Sequence, residues 1–109
     1  MHTFRLLFPF ALAATLAACA SPSAPTGSKT TKKSPEDYAA CVLPKWQAIA
    51  PLTVQKSINN GYRLTVPSAL ASDEVLEVVK HHDGSLATFY KGGFFAGDKL
   101  RQAARDCLD

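Results

Sequence analysis

The chain has 109 residues, with 12 Lys and Arg against 9 Asp and Glu, for a formal charge of +3. That length supports one small domain. The mild charge, with no dense Lys/Arg face interleaved with aromatics, excludes a nucleic-acid footprint.

Arg5 opens an apolar run from Leu6 to Leu16, and the small residues Ala17 and Ala18 close it. This is the layout of a secretory signal. The run is shorter than the ~20 residues of a spanning helix and Pro9 interrupts it, which argues against an uncleaved anchor. Two readings remain. Either an ordinary signal is cut near Ala18 and Cys19 is incidental, or Cys19 is itself the processed residue. The stretch Leu16-Ala17-Ala18-Cys19 resembles the lipobox of bacterial lipoproteins. The resemblance covers the leader alone. It implies a diacylglycerol on the Cys19 thiol, cleavage before it, and usually acylation of the freed amine, so that the partner at this end is the lipid bilayer. Ala20 and Ser21 follow Cys19. In Gram-negative lipoproteins an aspartate at the first of these positions tends to retain the protein in the inner membrane. The resemblance therefore implies the outer membrane, facing the periplasm, rather than the inner membrane.

On that reading residues 1–18 are a signal peptide, 19–33 a tether and 34–109 the folded domain. Residues 20–33 are rich in Pro, Ser and Thr and hold no large apolar side chain. Such a stretch cannot offset its ordering entropy and is expected to be a disordered spacer. Lys29, Lys32 and Lys33 could touch anionic head groups, at about 1 kcal/mol each near the surface, but fall short of the roughly 4–8 basic residues of a lipid-recognition cluster. A solvated linker is the simpler expectation.

The span 34–50 predicts a helix. Ser34 can cap it, Pro35 suits the first turn, and Glu36 and Asp37 favour the positive end of the dipole. Tyr38, Cys41, Val42, Trp46 and Ile49 fall near one face, with Trp46 as a core anchor. Pro44 removes a backbone donor and predicts a kink or break. Residues 52–66 read as a hairpin about Asn59-Asn60-Gly61, whose residues tolerate positive φ, and Pro67 ends it. Residues 73–91 read as a second hairpin with Asp83-Gly84 as its turn signal. Apolar positions 75, 76, 78 and 79 also fit a helical stripe that Ser72 could cap. Strand is preferred because three of the four are β-branched valine and a turn follows. Gly92 and Gly93 end the strand. Asp98 then caps a last helix, with Leu100, Ala103, Ala104, Cys107 and Leu108 as its apolar stripe. The expectation is an α+β fold: an antiparallel sheet of about four strands, two hairpins, with an N-terminal and a C-terminal helix on one face.

With Cys19 lipidated, Cys41 and Cys107 form an even pair in an exported chain. An oxidising compartment then favours a disulfide joining the two helices. It would contribute roughly 4 kcal/mol on the chain-entropy model. Two free thiols or a metal pair are the alternatives, and the pair lacks the close spacing of a metal motif.

Chemistry finds little support. His81 and His82, adjacent on a strand, point to opposite faces and do not readily chelate one metal. Nucleophile elbows, Cys/His sets and phosphate loops are missing. Glu74 and Glu77 would face opposite ways on a strand. No catalytic residue, metal, cofactor or small-molecule substrate is expected. What remains is the stretch from Phe89 to Phe95. Within it Tyr90, Lys91, Phe94 and Phe95 are a candidate partner surface, against the alternative that these aromatics pack under the last helix. The stretch resembles the aromatic-Lys-Gly element of periplasmic inhibitors of lysozyme. The two flanking helices depart from their mostly β-structured fold, so that function is not carried over. The segments from Cys41 to Trp46, Gly61 to Leu64, Asp73 to Val79 and Ala103 to Leu108 resemble small uncharacterised lipoproteins of proteobacteria, some near prophage genes. The reading that follows is a membrane-anchored, periplasm-facing, non-catalytic lipoprotein that binds an envelope or foreign protein, with an immunity or exclusion role included. The alternative is a structural or stress-related envelope component without a dedicated partner.

Overall fold

The computed structural model describes residues 25–68, 73–91 and 97–109. The expected signal segment 1–18, Cys19, Phe94 and Phe95 lie outside them. The elements in chain order are β1 (Gly27–Thr31), α1 (Pro35–Ile49), β2 (Val54–Ile58), β3 (Gly61–Val66), β4 (Glu74–His81), β5 (Gly84–Tyr90) and α2 (Gly97–Asp106). The five strands form one antiparallel sheet in the order β1-β5-β4-β3-β2. The α+β expectation holds, and the disulfide between the helices is present.

The strand count is corrected from four to five. The extra strand, β1, lies inside the expected tether and pairs with β5 from Gly27 opposite Phe89 to Thr31 opposite Ser85. Its first four residues are exposed, so no apolar alternation announces it. Backbone bonds to the open edge of β5 hold it instead, helped by Thr26, whose N and Oγ1 both donate to the Phe89 carbonyl, at 2.8 and 3.0 Å. Lys33 is likewise no free tether lysine. Its ammonium donates to the carbonyls of Cys107 and Asp109, where a cation complements the negative end of α2. Thr31 Oγ1 donates to the Leu108 carbonyl at 2.6 Å, and Ser85 Oγ to the Lys33 carbonyl at 2.8 Å. The chain terminus is thereby tied to the β1–α1 junction.

Helix α1 starts as the sequence predicts. Ser34 Oγ accepts from Asp37 N at 3.1 Å, and Pro35 stands in the first turn. The helix runs through Pro44 without a break. Pro44 withdraws the donor for the Ala40 carbonyl, but both residues are exposed, so water can take the missing place. Tyr38, Val42 and Trp46 are buried on the inner side. Helix α2 starts at Gly97, one residue before the expected cap, so Asp98 lies within its first turn and pairs with Arg101 at 2.6 Å. Leu100, Ala103 and Ala104 are buried on its stripe; Cys107, one residue past its end, is buried as well, and Leu108, expected on the same stripe, is half-buried beyond it.

In β4 the residues alternate. Glu74, Leu76 and Val78 are buried, while Val75, Glu77 and Val79 are half-buried on the other face. That period of two settles strand against helix. The core joins Leu64, Val66, Leu76, Val78, Ala87 and Phe89 of one sheet face to both helices. The turns differ in detail from the expected chemistry. Asn60 takes the positive φ of the first hairpin, and His82 that of the second. Neither Gly61 nor Gly84 has a positive φ. A Cβ on Gly61 would run into the Val78 carbonyl, and one on Gly84 into the Thr31 carbonyl. Both glycines therefore serve close backbone approach.

The two helices are clamped along their contact. Cys41 and Cys107 are bonded with their Cα atoms 5.8 Å apart. Tyr38 Oη donates to the Ala104 carbonyl at 2.7 Å, and Trp46 Nε1 to the Leu100 carbonyl at 2.9 Å. Burial pushes the Tyr38 hydroxyl up to about 12 from the ordinary 10.

Two outcomes are expected. Cys41→Ser with Cys107→Ser should lower unfolding free energy by about 4 kcal/mol, from the 66-residue separation of the pair and the loop-entropy relation; denaturant titration measures it. The Tyr38 contribution is fully present below pH 10. It is lost as pH rises from about 10 to about 12, because the unfolded state gives up its proton while the folded state holds it. Two pH units correspond to roughly 2–3 kcal/mol. Tyr38→Phe should remove that part of the alkaline destabilisation while costing about 1 kcal/mol at neutral pH through the lost hydrogen bond, which a stability–pH series resolves.

Candidate partner surface

Helices cover one face of the sheet, and no described element covers the other. Strand register builds the open face in three cross-strand rows. Val54, Thr65, Val75 and Tyr90 form the first. Lys56, Arg63, Glu77, Thr88 and Ser28 form the second. Ile58, Gly61, Val79, Leu86 and Thr30 form the third. Two largely apolar bands thus flank a polar centre line.

The centre line is organised by hydrogen bonds. Arg63 Nε donates to Glu77 Oε2 at 2.7 Å, and the two residues are direct cross-strand partners. With Arg63 43% exposed, this pair contributes less than about 1 kcal/mol to stability. Its larger effect is to hold both side chains flat on the sheet. Tyr90 Oη approaches Glu77 Oε1 at 3.4 Å. Burial first, then the charge of Glu77 and its hydrogen bond, push the Tyr90 hydroxyl up against the opposing influence of Arg63. Ser28 Oγ and Thr88 Oγ1 meet at 3.2 Å and extend the line onto β1. At the far edge Val54 is 51% exposed and Leu52 76%.

Of the surface residues expected from the sequence, Tyr90 lies on this face at the end of β5, and Lys91 is exposed just beyond it. Phe94 and Phe95 lie outside the described residues. Val54, Arg63, Val75, Val79 and Leu86 do not stand out as surface residues in the sequence; Glu77 does only as a partner of Glu74, and the two face opposite sides of β4 as expected. A signal was available: valines at 75 and 79 stand on alternate positions that a solvated face would fill with polar residues.

His81 and His82 depart from the opposite-face expectation. Strand β4 ends at His81, and His82 enters the turn with φ 51°. The two rings meet edge to face with centroids 4.2 Å apart. No group of three metal-capable side chains occurs among the described residues. No described helix is long and apolar enough to cross a membrane.

Glu74 is the anomaly on the helix side. It is 0% exposed, and neither carboxyl oxygen has a hydrogen-bond partner among the described residues. It lies against the start of α2, where a Cβ added to Gly97 would stand 3.0 Å from Oε1. The positive end of a helix dipole favours a carboxylate there without supplying the missing bonds.

No family model, curated protein or solved structure matches the chain. The fold and its surfaces therefore carry the functional argument.

Glu74→Met should raise the unfolding free energy, by about 1–3 kcal/mol, because a buried carboxyl without a hydrogen-bond partner among the described residues carries a desolvation cost that an apolar side chain of similar size does not. Urea titration of the two proteins decides it. A lower midpoint for the variant would mean that the carboxylate is compensated.

Proposed function

We propose that this chain is a membrane-anchored lipoprotein of the periplasmic side of the outer membrane, acylated at Cys19 and non-catalytic. Its open sheet face binds an envelope or foreign protein, in the manner of an immunity or exclusion factor. The lipobox resemblance supports the anchor. The open face supports the binding role: apolar Val54, Val75, Val79 and Leu86 lie outside the core, around an ordered Arg63–Glu77–Tyr90 centre. Apolar side chains left outside the core on an uncovered face, here in two bands with a polar line between them, support a protein-binding surface.

Strand β1 shortens the expected tether. Gly27, where the sheet begins, is eight residues beyond Cys19. At ~3.3–3.6 Å per extended residue the covalent reach is below about 30 Å. A partner would therefore be met close to the bilayer, a geometry suited to a membrane-embedded or membrane-bound protein.

Two measurements test this reading. Mass spectrometry of the mature product should find an acylated Cys19 at the N-terminus; an unmodified thiol there removes the anchor. A photocrosslinker at Val54 or Lys56 should give the same protein adduct in cells, and one at Gln47, on the outer side of α1, should give none. Lack of adducts at both sheet positions would leave only the structural envelope role.

A further inference from the structure

A second surface lies on the helix side of the sheet. Helix α2 is clamped to α1 and does not close over β1. This leaves a groove of about 360 Å³ between β1 and α2. Its floor is apolar, built from Leu76, Ala87, Phe89 and Ala104. Its rim carries Lys29, Arg101 and Arg105, and no carboxylate is among its lining residues. The Arg101 guanidinium stands over the Phe89 ring at 5.8 Å from the centroid and is held by Asp98 at 2.6 Å. Lys29 and Arg105 meet no carboxylate among the described residues; Arg105 donates only to the Gln102 amide oxygen at 3.0 Å. A cationic rim over an apolar floor selects a ligand that is charged at one end and greasy at the other.

We propose that this groove is a binding site for an anionic amphiphile. A carboxylate or phosphate head pairs with Lys29 and Arg105, with Arg101 above it, and a short apolar portion lies on Phe89 and Ala104. The head could belong to a free fatty acid or to an anionic phospholipid of the adjacent bilayer. The site does not rest on the partner reading, since it lies on the opposite face of the sheet, while its link to the bilayer rests on the proposed Cys19 anchor. Placement favours access from the bilayer, because the chain arrives at this groove through Thr26 and Gly27, which line it.

The molecule carries its own reporter. Trp46 is the sole tryptophan. It is 0% exposed, and its ring meets the floor residue Phe89 edge to face at 6.0 Å. The full chain is titrated with decanoate, with inorganic phosphate, and with phosphatidylcholine vesicles with and without phosphatidylglycerol. Trp46 emission and the Ala87 and Ala104 methyl resonances are followed. Decanoate should bind saturably by at least one readout. Lys29→Ala and Arg105→Ala, at exposed positions where the fold is preserved, should each weaken it roughly tenfold, as expected for a lost charge-assisted contact. Phosphate alone should bind much more weakly. A phosphatidylglycerol-dependent gain that both substitutions abolish assigns the ligand to the bilayer. Decanoate binding without that gain assigns it to a free amphiphile. Unsaturable decanoate binding by both readouts, equal affinity in the two variants, or phosphate binding as tightly as decanoate would each overturn the proposal.

Discussion

Everything on the helix side depends on the clamp between α1 and α2. The Cys41–Cys107 bond is its covalent part. The hydroxyl of Tyr38 and the indole N–H of Trp46 are its polar part, each donating to a carbonyl of α2. The Leu100 carbonyl also serves the helix ladder and offers its second lone pair, whereas the Ala104 carbonyl lies in the last turn, where the Leu108 N–H donates to Arg105 instead, so the Tyr38 hydroxyl fills a place the helix leaves open and both rings are buried without stranding a donor. A domain this small cannot rely on area alone. The clamp holds Leu100 and Ala104 over the sheet and thereby makes the core that Trp46 and Phe89 fill.

The same clamp explains where the core stops. Because α2 is secured to α1, it does not have to reach across the sheet to be stable. It borders β5 where Arg101 stands over Phe89 and β4 where Gly97 meets Glu74, and a groove lined by Gly27, Ser28 and Lys29 remains between it and β1. The terminus is then fastened from the other side by Lys33 and Thr31, with Ser85 holding the Lys33 carbonyl. Removing the clamp would therefore be felt at two separate places: in the core, through Trp46, and at the groove, through the position of Arg101 and Arg105.

How much of this was legible in the sequence follows from the range over which each signal acts. Ser34, Pro35 and the Tyr38–Val42–Trp46 stripe define α1 within a few residues, and the structure has that helix. The two hairpins were legible for the same reason, and Cys41 and Cys107 paired on placement and parity. Strand β1 was not legible. Its side chains face solvent and its stability comes from the free edge of β5, 60 residues away along the chain at the Ser28–Thr88 contact. Composition marks such a segment as a linker until the partner edge is known. His81 and His82 were misplaced because the strand rule was applied one residue past the end of β4, where His82 takes a positive φ. The candidate surface was half legible. Tyr90 and Lys91 stood out as aromatic and cation. The apolar bands of the open face depend on which side the helices take, and in β4 the outward Val75 and Val79 are as apolar as the inward Leu76 and Val78, so that strand alone does not tell the two faces apart.

The ordering of β1 changes what the two faces can do. Strand β1 enters the sheet beside the end of β5, so Thr26, Tyr90 and Val75 share one end of the molecule, while His81, Gly84 and the chain terminus share the other. The chain therefore reaches the sheet at the end where Tyr90 and Val75 lie on the open face and Phe89 and Arg101 border the groove on the helix face. With a bilayer attachment at Cys19, this end would be held toward the membrane, the open face would stand roughly upright beside it, and the groove would open on the reverse side. A disordered spacer of the full expected length would have allowed any orientation. With Cys19 as the attachment point, pairing β1 with β5 would instead leave only the residues before Thr26 as spacer, so that one folded segment would both lengthen the sheet and limit which surfaces can meet a lipid head or a neighbouring protein.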